Sequence, residues 1–188
     1  FWNRKVMHES LGYEKLYDKA VYDVTKENSI GLGLSDKEFF TQSIPILQNI
    51  NQEHKNWYGL MIMLSNHTPF SDVEHYGEFD VDIKDGEVSH PYMEGTKLGN
   101  YFKSVHYADS ALGEFLTKLD ENGLLDNTVV VLYGDHDAKL PKADFERLYN
   151  YDKEIDDIKS KEDETYVDVD YFKYEIDRSV PFVIWSKD

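Results

Sequence analysis

The sequence predicts an α/β fold in which a mostly parallel sheet is flanked by helices. Apolar runs of strand length occur at residues 57–64, 128–133 and 180–185, and a long amphipathic segment precedes the middle run. Strand, helix, strand is the crossover that builds a parallel sheet. With 188 residues, 40% of them hydrophobic, the chain is long enough to bury a core as one domain or most of one.

The first predicted helix begins at residue 35. Ser35 and Glu38 have the spacing of a capping box, and Pro45 is expected to kink the helix or end it early. The next element is the run "WYGLMIML" at 57–64, which is apolar without alternation and therefore predicts a second buried strand.

The longest predicted helix lies within "YFKSVHYADSALGEFLTKLDENG", residues 101–123. Apolar side chains recur on one of its faces at helical spacing, and Gly123 follows as a natural stop. These side chains are Tyr101, Val105, Ala108, Leu112, Phe115 and Leu119. The strand that follows, Val129 to Tyr133, does not alternate with polar residues, so it is predicted to be central and covered on both faces.

The segment "GEFDVDIKDGEVS" predicts a hairpin, because Phe79, Val81 and Ile83 alternate before Asp85-Gly86 at the turn. A calcium loop is the alternative for its closely spaced acids, which are Asp80, Asp82, Asp85 and Glu87. It fits poorly, because Lys84 stands where the third ligand belongs and the glycine comes one residue late.

Residues 151–170 carry nine acidic residues against three lysines, a net charge of −6 within a total of −17. A segment of this composition is predicted to be a solvated helix or mobile loop, and we interpret it as an insertion without chemistry. The total charge argues against binding of nucleic acid, because the chain repels phosphate backbones. The absence of Cys excludes disulfides, and an apolar stretch such as "GLMIML" is too short for a membrane span.

Two of the predicted strands end in reactive side chains. Asp135 and His136 follow the strand at 129–133, and Asn66 and His67 follow the run at 57–64. Ligands of open α/β sheets bind just beyond the carboxyl ends of parallel strands, so the two groups are expected at one sheet edge. A carboxylate and an imidazole are competent ligands for Zn²⁺ or Mn²⁺, but two neighbours cannot complete a coordination shell.

Less specific interpretations of these residues remain open. Gly134 and Asp135 are also typical of a turn followed by a solvent-facing histidine, and a lone histidine such as His67 is often held by a neighbouring carbonyl. If His67 does not bind metal, its imidazole can donate a hydrogen bond to a phosphoryl or sulfuryl oxygen, or protonate a leaving group.

Three stretches together resemble one known family: "FWNRK", "SNHTPF" and "VHYADSALGEFLTKLDENGLLDNTVVVLYGDHDAKL". They look like the catalytic domain of lipoteichoic acid synthase and its phosphoglycerol-transferase relatives, within the sulfatase and alkaline phosphatase superfamily. The resemblance runs in order across most of the chain and is weakest at 151–170. It implies an alkaline-phosphatase-like fold, with residues 1–188 forming part of a sulfatase-like catalytic domain that carries the acidic insertion.

The resemblance also implies roles for individual residues. Asp135 and His136 match two ligands of a single divalent ion, usually manganese, with Mg²⁺ or Zn²⁺ as alternatives. His67 matches a histidine that contacts the substrate phosphate. Trp2 and Arg4 match residues that hold the glycerol-phosphate headgroup. The family's nucleophilic threonine and its glutamate ligand are expected upstream of Phe1.

By this resemblance the expected function is that of a metal-dependent phosphoglycerol transferase. It would act through a covalent phospho-threonine on phosphatidylglycerol-type lipid and a growing polyglycerolphosphate chain, at the extracellular face of the cell membrane. Membrane contact is expected through segments absent from this chain, and the fragment alone is expected to be inactive. The alternatives are a sulfatase or phosphodiester hydrolase, and a non-catalytic binding module for anionic glycopolymer.

One departure from the family pattern leaves the headgroup preference open. The family tends to continue Gly-Asp-His with Tyr-Gly-Ile-Ser, whose serine touches the substrate. Here Asp137, Ala138, Lys139 and Leu140 follow instead.

Overall fold

A computed structural model describes residues 3–90, 93–170, 172–173 and 179–187. In chain order the elements are α1 (Arg4–Ser10), β1 (Ser29–Ile30), β2 (Gly33–Leu34), α2 (Asp36–Glu53), a 3₁₀ turn (Val73–His75), β3 (Ile83–Asp85), β4 (Val88–His90), α3 (Lys97–Glu121), β5 (Val129–Tyr133), α4 (Lys142–Asn150), β6 (Tyr151–Asp152), β7 (Asp157–Ile158) and β8 (Phe182–Ser186).

Helix α2 begins where the sequence predicts. The Ser35 side chain accepts a hydrogen bond from the Glu38 backbone N–H at 3.4 Å, which caps the helix. Pro45 does not end the helix, which continues to Glu53. Pro45 and Thr41 both lie on the exposed side, so water can reach the Thr41 carbonyl that lacks a helical donor.

Helix α3 is confirmed, and its capping residues define both ends. Thr96 accepts from the Gly99 N–H at 3.0 Å, and Gly123 adopts a left-handed φ of 65° just beyond the last turn. The buried face is rotated from the predicted one, because Val105 is exposed whereas Ser104 and Tyr107 are buried. Periodicity alone cannot locate this face, since the buried serine is accommodated by hydrogen bonds and not by its hydropathy.

The main core lies between α2 and α3. Phe40 and Phe115 stack with ring centroids 4.2 Å apart, and apolar residues from both helices and from the segment after α3 surround them. A second cluster packs around the N-terminal end of α3 and is formed by Phe70, Val81, Met93, Leu98 and Leu140. This second cluster positions the candidate site.

The predicted parallel pairing of the strands is wrong for the described residues. Each strand pair found there is antiparallel and two-stranded, and β5 pairs with β8 from Val129↔Ser186 to Tyr133↔Phe182. The strands predicted near 129–133 and 180–185 therefore exist, but β5 is not covered on both faces. Its Val129 side is open to solvent, with residues 129, 131 and 133 exposed by 63%, 48% and 50%.

The predicted strand at 57–64 is also wrong, since this segment carries no strand assignment. A strand is defined by its hydrogen-bonded neighbour, and an apolar run predicts burial without supplying that neighbour. The segment instead packs part of its side chains, those of Trp57, Met61 and Met63, against the α2–α3 core.

The predicted hairpin is confirmed as β3 and β4, with Asp85 paired to Val88 and the turn therefore at Gly86 and Glu87. Gly86 has a φ of 63°, which a glycine adopts without strain. The calcium alternative gains no support, because Asp80 forms an ion pair with Lys84, and Asp82 accepts a hydrogen bond from Ser89 at 2.5 Å.

The acidic segment 151–170 is neither a helix nor a detached loop. It begins with the antiparallel pair β6 and β7, and it is fastened to α4 by Asn150, which is fully buried. The Asn150 side chain accepts from the Val167 N–H at 2.6 Å and donates to the Val167 carbonyl at 2.8 Å. Two backbone bonds to one buried amide hold the segment against the domain, which its composition does not reveal.

Among the described helices, none is both long enough and apolar enough to cross a membrane.

Candidate functional site

Two loops form the candidate site: the His67 loop, residues 64–70, and the His136 loop, residues 134–140. The His67 loop is fixed at its start by the first turn of α2. The Asp36 Oδ1 atom accepts from the Leu64 N–H at 2.9 Å and the Ser65 N–H at 3.2 Å, while the Ser65 Oγ accepts from the Asp36 N–H at 2.8 Å.

Asp36 is 1% exposed, and its second oxygen, Oδ2, is buried without a hydrogen-bond partner. Burial raises the pKa of the Asp36 carboxyl, and the amide hydrogen bonds from Leu64 and Ser65 oppose this rise only in part. The carboxyl therefore favours its protonated form more than an exposed aspartate does. The neighbouring Ser35 and Glu38 were recognisable from the sequence as a capping pair, but this contact was not, because its partners are 28 and 29 positions away.

The far end of the His67 loop is anchored by Phe70. Phe70 is 1% exposed and lies in the second cluster together with Leu98 and Leu140, and its ring centroid is 5.2 Å from that of Tyr101. The Thr68–Pro69 peptide bond is cis, and Phe70 has a φ of 61°.

The His136 loop leaves β5 through a close backbone contact. The Gly134 N–H donates to the Pro181 carbonyl at 3.1 Å, and a Cβ on Gly134 would lie 2.9 Å from the Val180 Cβ. Glycine is therefore required by space at this position. The loop ends at buried Leu140, in the same cluster as Phe70.

The structure brings His67 and His136 together, as the sequence analysis expected. Their ring centroids lie 6.1 Å apart, with the ring planes nearly perpendicular at 89°. The two histidines were expected to meet at the shared edge of a parallel sheet. In the structure they are brought together by the apolar cluster, because Phe70 and Leu140, which follow each histidine by a few residues, both pack in it.

Both histidines make the same local hydrogen bond. The His67 Nδ1 lies 2.7 Å from the Thr68 carbonyl, and the His136 Nδ1 lies 2.7 Å from the Asp137 carbonyl. A carbonyl only accepts, so Nδ1 carries a proton in each bond, and Nε2 is the nitrogen that has a lone pair when the ring is neutral. A bond from Nδ1 to a carbonyl is the arrangement that orients metal-binding histidines.

Asp135 and His136 fit two neighbouring positions of a divalent ion. The Asp135 Oδ1 and the His136 Nε2 are 3.7 Å apart, and both side chains are exposed. Two ligand atoms about 2.1 Å from a tetrahedrally coordinated ion lie roughly 3.4 Å apart, so a small adjustment suffices. Within the described ranges no group of three or more His, Cys, Asp or Glu side chains is placed to hold a metal, so this pair would supply only part of a shell.

Of the two predicted headgroup residues, the structure describes only Arg4, and it does not join Arg4 to this site. Arg4 is exposed on α1 and has no hydrogen bond or ion pair to either loop in the part of the chain that the structure describes. Trp2 lies outside the described residues. The roles of both residues stay predictions.

The sulfatase family profile matches residues 1–188, and the chain belongs to this family. The family assignment and a structural match confirm the predicted alkaline-phosphatase-like α/β fold, of which these 188 residues form part. That match is the crystal structure of the lipoteichoic acid synthase LtaP from Listeria monocytogenes, with a TM-score of 0.67 and 30% identity. It covers 98% of this chain and 40% of the solved chain.

Curated relatives confirm the predicted resemblance. The chain is 38% identical over 138 residues to lipoteichoic acid synthase 1 of Bacillus subtilis, covering 73% of this chain and 20% of the relative. It is 34% identical over 137 residues to lipoteichoic acid synthase of Staphylococcus aureus (strain USA300), covering 72% and 19%. The aligned part thus spans about a fifth of the length of these relatives.

Proposed function

We propose that this chain supplies the metal-binding and phosphate-contacting part of a phosphoglycerol transferase of the lipoteichoic acid synthase type. The observation that carries the proposal is the 6.1 Å separation of the His67 and His136 rings, which come from loops 69 residues apart in sequence. Similarity to enzymes named lipoteichoic acid synthase supports the substrate class. The substrates proposed are a phosphatidylglycerol-type lipid and a growing polyglycerolphosphate chain.

Within this site Asp135 and His136 would hold a divalent cation, Mn²⁺ by preference, with Mg²⁺ or Zn²⁺ as alternatives. When bound, such an ion offsets phosphate charge and lowers the pKa of a hydroxyl nucleophile. His67, whose ring centroid lies 6.1 Å from that of His136, would contact an oxygen of the same phosphate. Trp2 and Arg4 are proposed to hold the glycerol headgroup, with Arg4 forking onto hydroxyl or phosphate oxygens.

The remaining catalytic groups are proposed to lie outside residues 1–188. A threonine nucleophile would form the covalent phospho-enzyme, and a glutamate would complete the metal shell. Within the described residues no group of three or more candidate ligands occurs, which is compatible with this division. The site would work at the extracellular face of the cell membrane, and the 188-residue chain alone would have no turnover.

The test uses the full-length protein with Mn²⁺ and two substrates, a fluorescent phosphatidylglycerol and an aryl sulfate. Release of labelled diacylglycerol that is abolished in Asp135→Ala is the expected result. Turnover of the aryl sulfate alone would replace the proposal with a sulfatase. Tight binding of polyglycerolphosphate without turnover of either substrate would replace it with a non-catalytic module.

A further inference from the structure

Helix α3 contacts the His67 loop through a buried polar group. Ser104, with 0% of its surface exposed, donates from Oγ to the Asn66 Oδ1 at 2.5 Å. The same oxygen lies 2.8 Å from the Tyr101 carbonyl, one turn back on the helix. A serine can satisfy its hydroxyl on its own helix, so the additional reach to Asn66 joins α3 to a residue of the loop.

Asn66 lies between Ser65, which is held in place, and His67, the proposed phosphate contact. Ser65 is held by Asp36, as described above, whereas the His67 ring is hydrogen-bonded to the carbonyl of the next residue, Thr68. That bond fixes the His67 ring relative to the backbone of its own loop. The orientation of this backbone must be set by other contacts. The Ser104 contact sets this direction, because it fastens Asn66 to a long helix packed into both apolar clusters.

Helix α3 also reaches the His136 loop. The Lys97 Nζ donates to the Lys139 carbonyl at 3.4 Å and lies 5.9 Å from the centroid of the Phe70 ring. Both loops therefore contact one helix. A site needs such support, because reacting groups must be held within about 0.5 Å of a productive arrangement.

We propose that Ser104 is a positioning residue that acts through Asn66 to aim His67 at the substrate phosphate. The inference rests on the proposed function for the role of His67. It assigns no substrate contact to Ser104, which is buried beneath the loop. Nothing in the composition of α3 separates this serine from the exposed polar positions, so the sequence analysis missed it.

The chain offers a matched control in Ser43. Ser43 is 2% exposed on α2 and donates to the Phe39 carbonyl at 2.7 Å, so it repeats the burial and the helical hydrogen bond of Ser104 away from the site. Ser104→Ala and Ser43→Ala should lower the melting temperature of the full-length protein by similar amounts. Only Ser104→Ala removes the tie to Asn66.

The expected result in the full-length protein is a loss of about ten-fold in kcat/KM for Ser104→Ala, the value of one positioning hydrogen bond, with Mn²⁺ content unchanged. Ser43→Ala should stay within about two-fold of wild type. Asn66→Ala changes an exposed position and should reproduce the loss in kcat/KM without altering the core. This variant therefore tests the inference even if Ser104→Ala does not fold.

A double-mutant cycle separates positioning from general stability. If Ser104 acts through His67, then Ser104→Ala should add nothing to the loss already caused by His67→Ala. Multiplicative losses, or a kcat/KM for both Ser104→Ala and Asn66→Ala within two-fold of wild type, would overturn the inference.

A second readout does not depend on turnover. Long-range ¹H–¹⁵N spectra of the histidine rings should show the His67 resonances shifted in Asn66→Ala and not in Ser43→Ala. If His67→Ala retains full activity, the proposed role of His67 fails while this spectral shift still appears. If the His67 ring is unchanged in Asn66→Ala, the positioning inference itself is wrong.

Discussion

The His67 loop and the His136 loop end alike and begin differently. Each carries a histidine whose Nδ1 is bound to the next carbonyl, and each ends in an apolar side chain of the same cluster. The start of the His67 loop is held by hydrogen bonds to the side chains of Asp36 and Ser104. The start of the His136 loop is held by the close approach of Gly134 to Val180. One loop depends on the presence of side chains and the other on the absence of one.

The two halves of the site should therefore fail in different ways. Substitutions near Asp36 should act through hydrogen bonds and protonation, and so should depend on pH. Substitutions at Gly134 should act through steric exclusion. Only the shared cluster should affect both loops at once.

The largest effect is expected for Phe70→Ala. This change leaves a cavity at a position that is 1% exposed and removes the packing contact that joins the two loops. The free energy of unfolding should therefore fall by about 3–5 kcal/mol. Urea titration measures this loss, and the ring contact between His67 and His136 should disappear from nuclear Overhauser spectra.

Phe40→Ala is the control for Phe70→Ala, because Phe40 is 3% exposed in the other core. It should cost a similar free energy and leave the histidine contact in place. A cost below about 1 kcal/mol for Phe70→Ala would mean that the two loops do not share a packed anchor.

A smaller effect, confined to the His136 loop, is expected for Gly134→Ala. The new Cβ would meet the Val180 Cβ at 2.9 Å, so the loop or the strand must shift, at about 1–3 kcal/mol. Gly113→Ala is the matched control, since nothing lies within 4 Å of a Cβ at this position in α3. It should raise stability by up to about 1 kcal/mol, because alanine is the better helix former. Equal effects of the two changes would contradict the steric account.

The smallest effect concerns pH and the His67 loop. The folded-state pKa of Asp36 is raised, so the folded protein keeps a proton that the unfolded chain releases. The contribution of this group to stability is therefore complete below the ordinary pKa of an aspartate and declines as pH rises through the folded-state pKa. Asp36→Asn keeps an amide oxygen for Leu64 and Ser65 and should remove this decline. Urea titrations across the acidic range test it, and an unchanged slope in Asp36→Asn would show that the Asp36 carboxyl does not titrate as described.

Much of the fold was predictable wherever the signal is local. The cap at Ser35, the stop at Gly123 and the hairpin at β3 and β4 depend on residues close in sequence. Strand pairing was not predictable, because the apolar composition of a run such as 57–64 does not specify which segment, if any, pairs with it. The anchoring of the acidic segment was not predictable for a related reason, since Asn150 bonds the backbone of Val167, which lies 17 residues further along the chain.

The sequence could suggest which residues form the candidate site but not what supports them. The motifs around His67 and Asp135-His136 consist of residues adjacent in sequence, and the structure brings the two histidines together. Asp36 and Ser104 act on Ser65 and Asn66 from positions 29 and 38 residues away, so no short motif contains both partners. Such contacts follow from tertiary packing alone.

We propose that His67 and the pair Asp135-His136 share one site but have different roles. The most direct test measures metal content beside turnover in the full-length protein for single alanine variants. Asp135→Ala and His136→Ala should lose Mn²⁺ and activity together, because an under-coordinated ion is lost. His67→Ala should keep its Mn²⁺ and lose about 10²- to 10³-fold in rate, as expected for removal of one group that contacts the reacting phosphate. Loss of Mn²⁺ from His67→Ala as complete as from His136→Ala would contradict this division and make His67 a ligand.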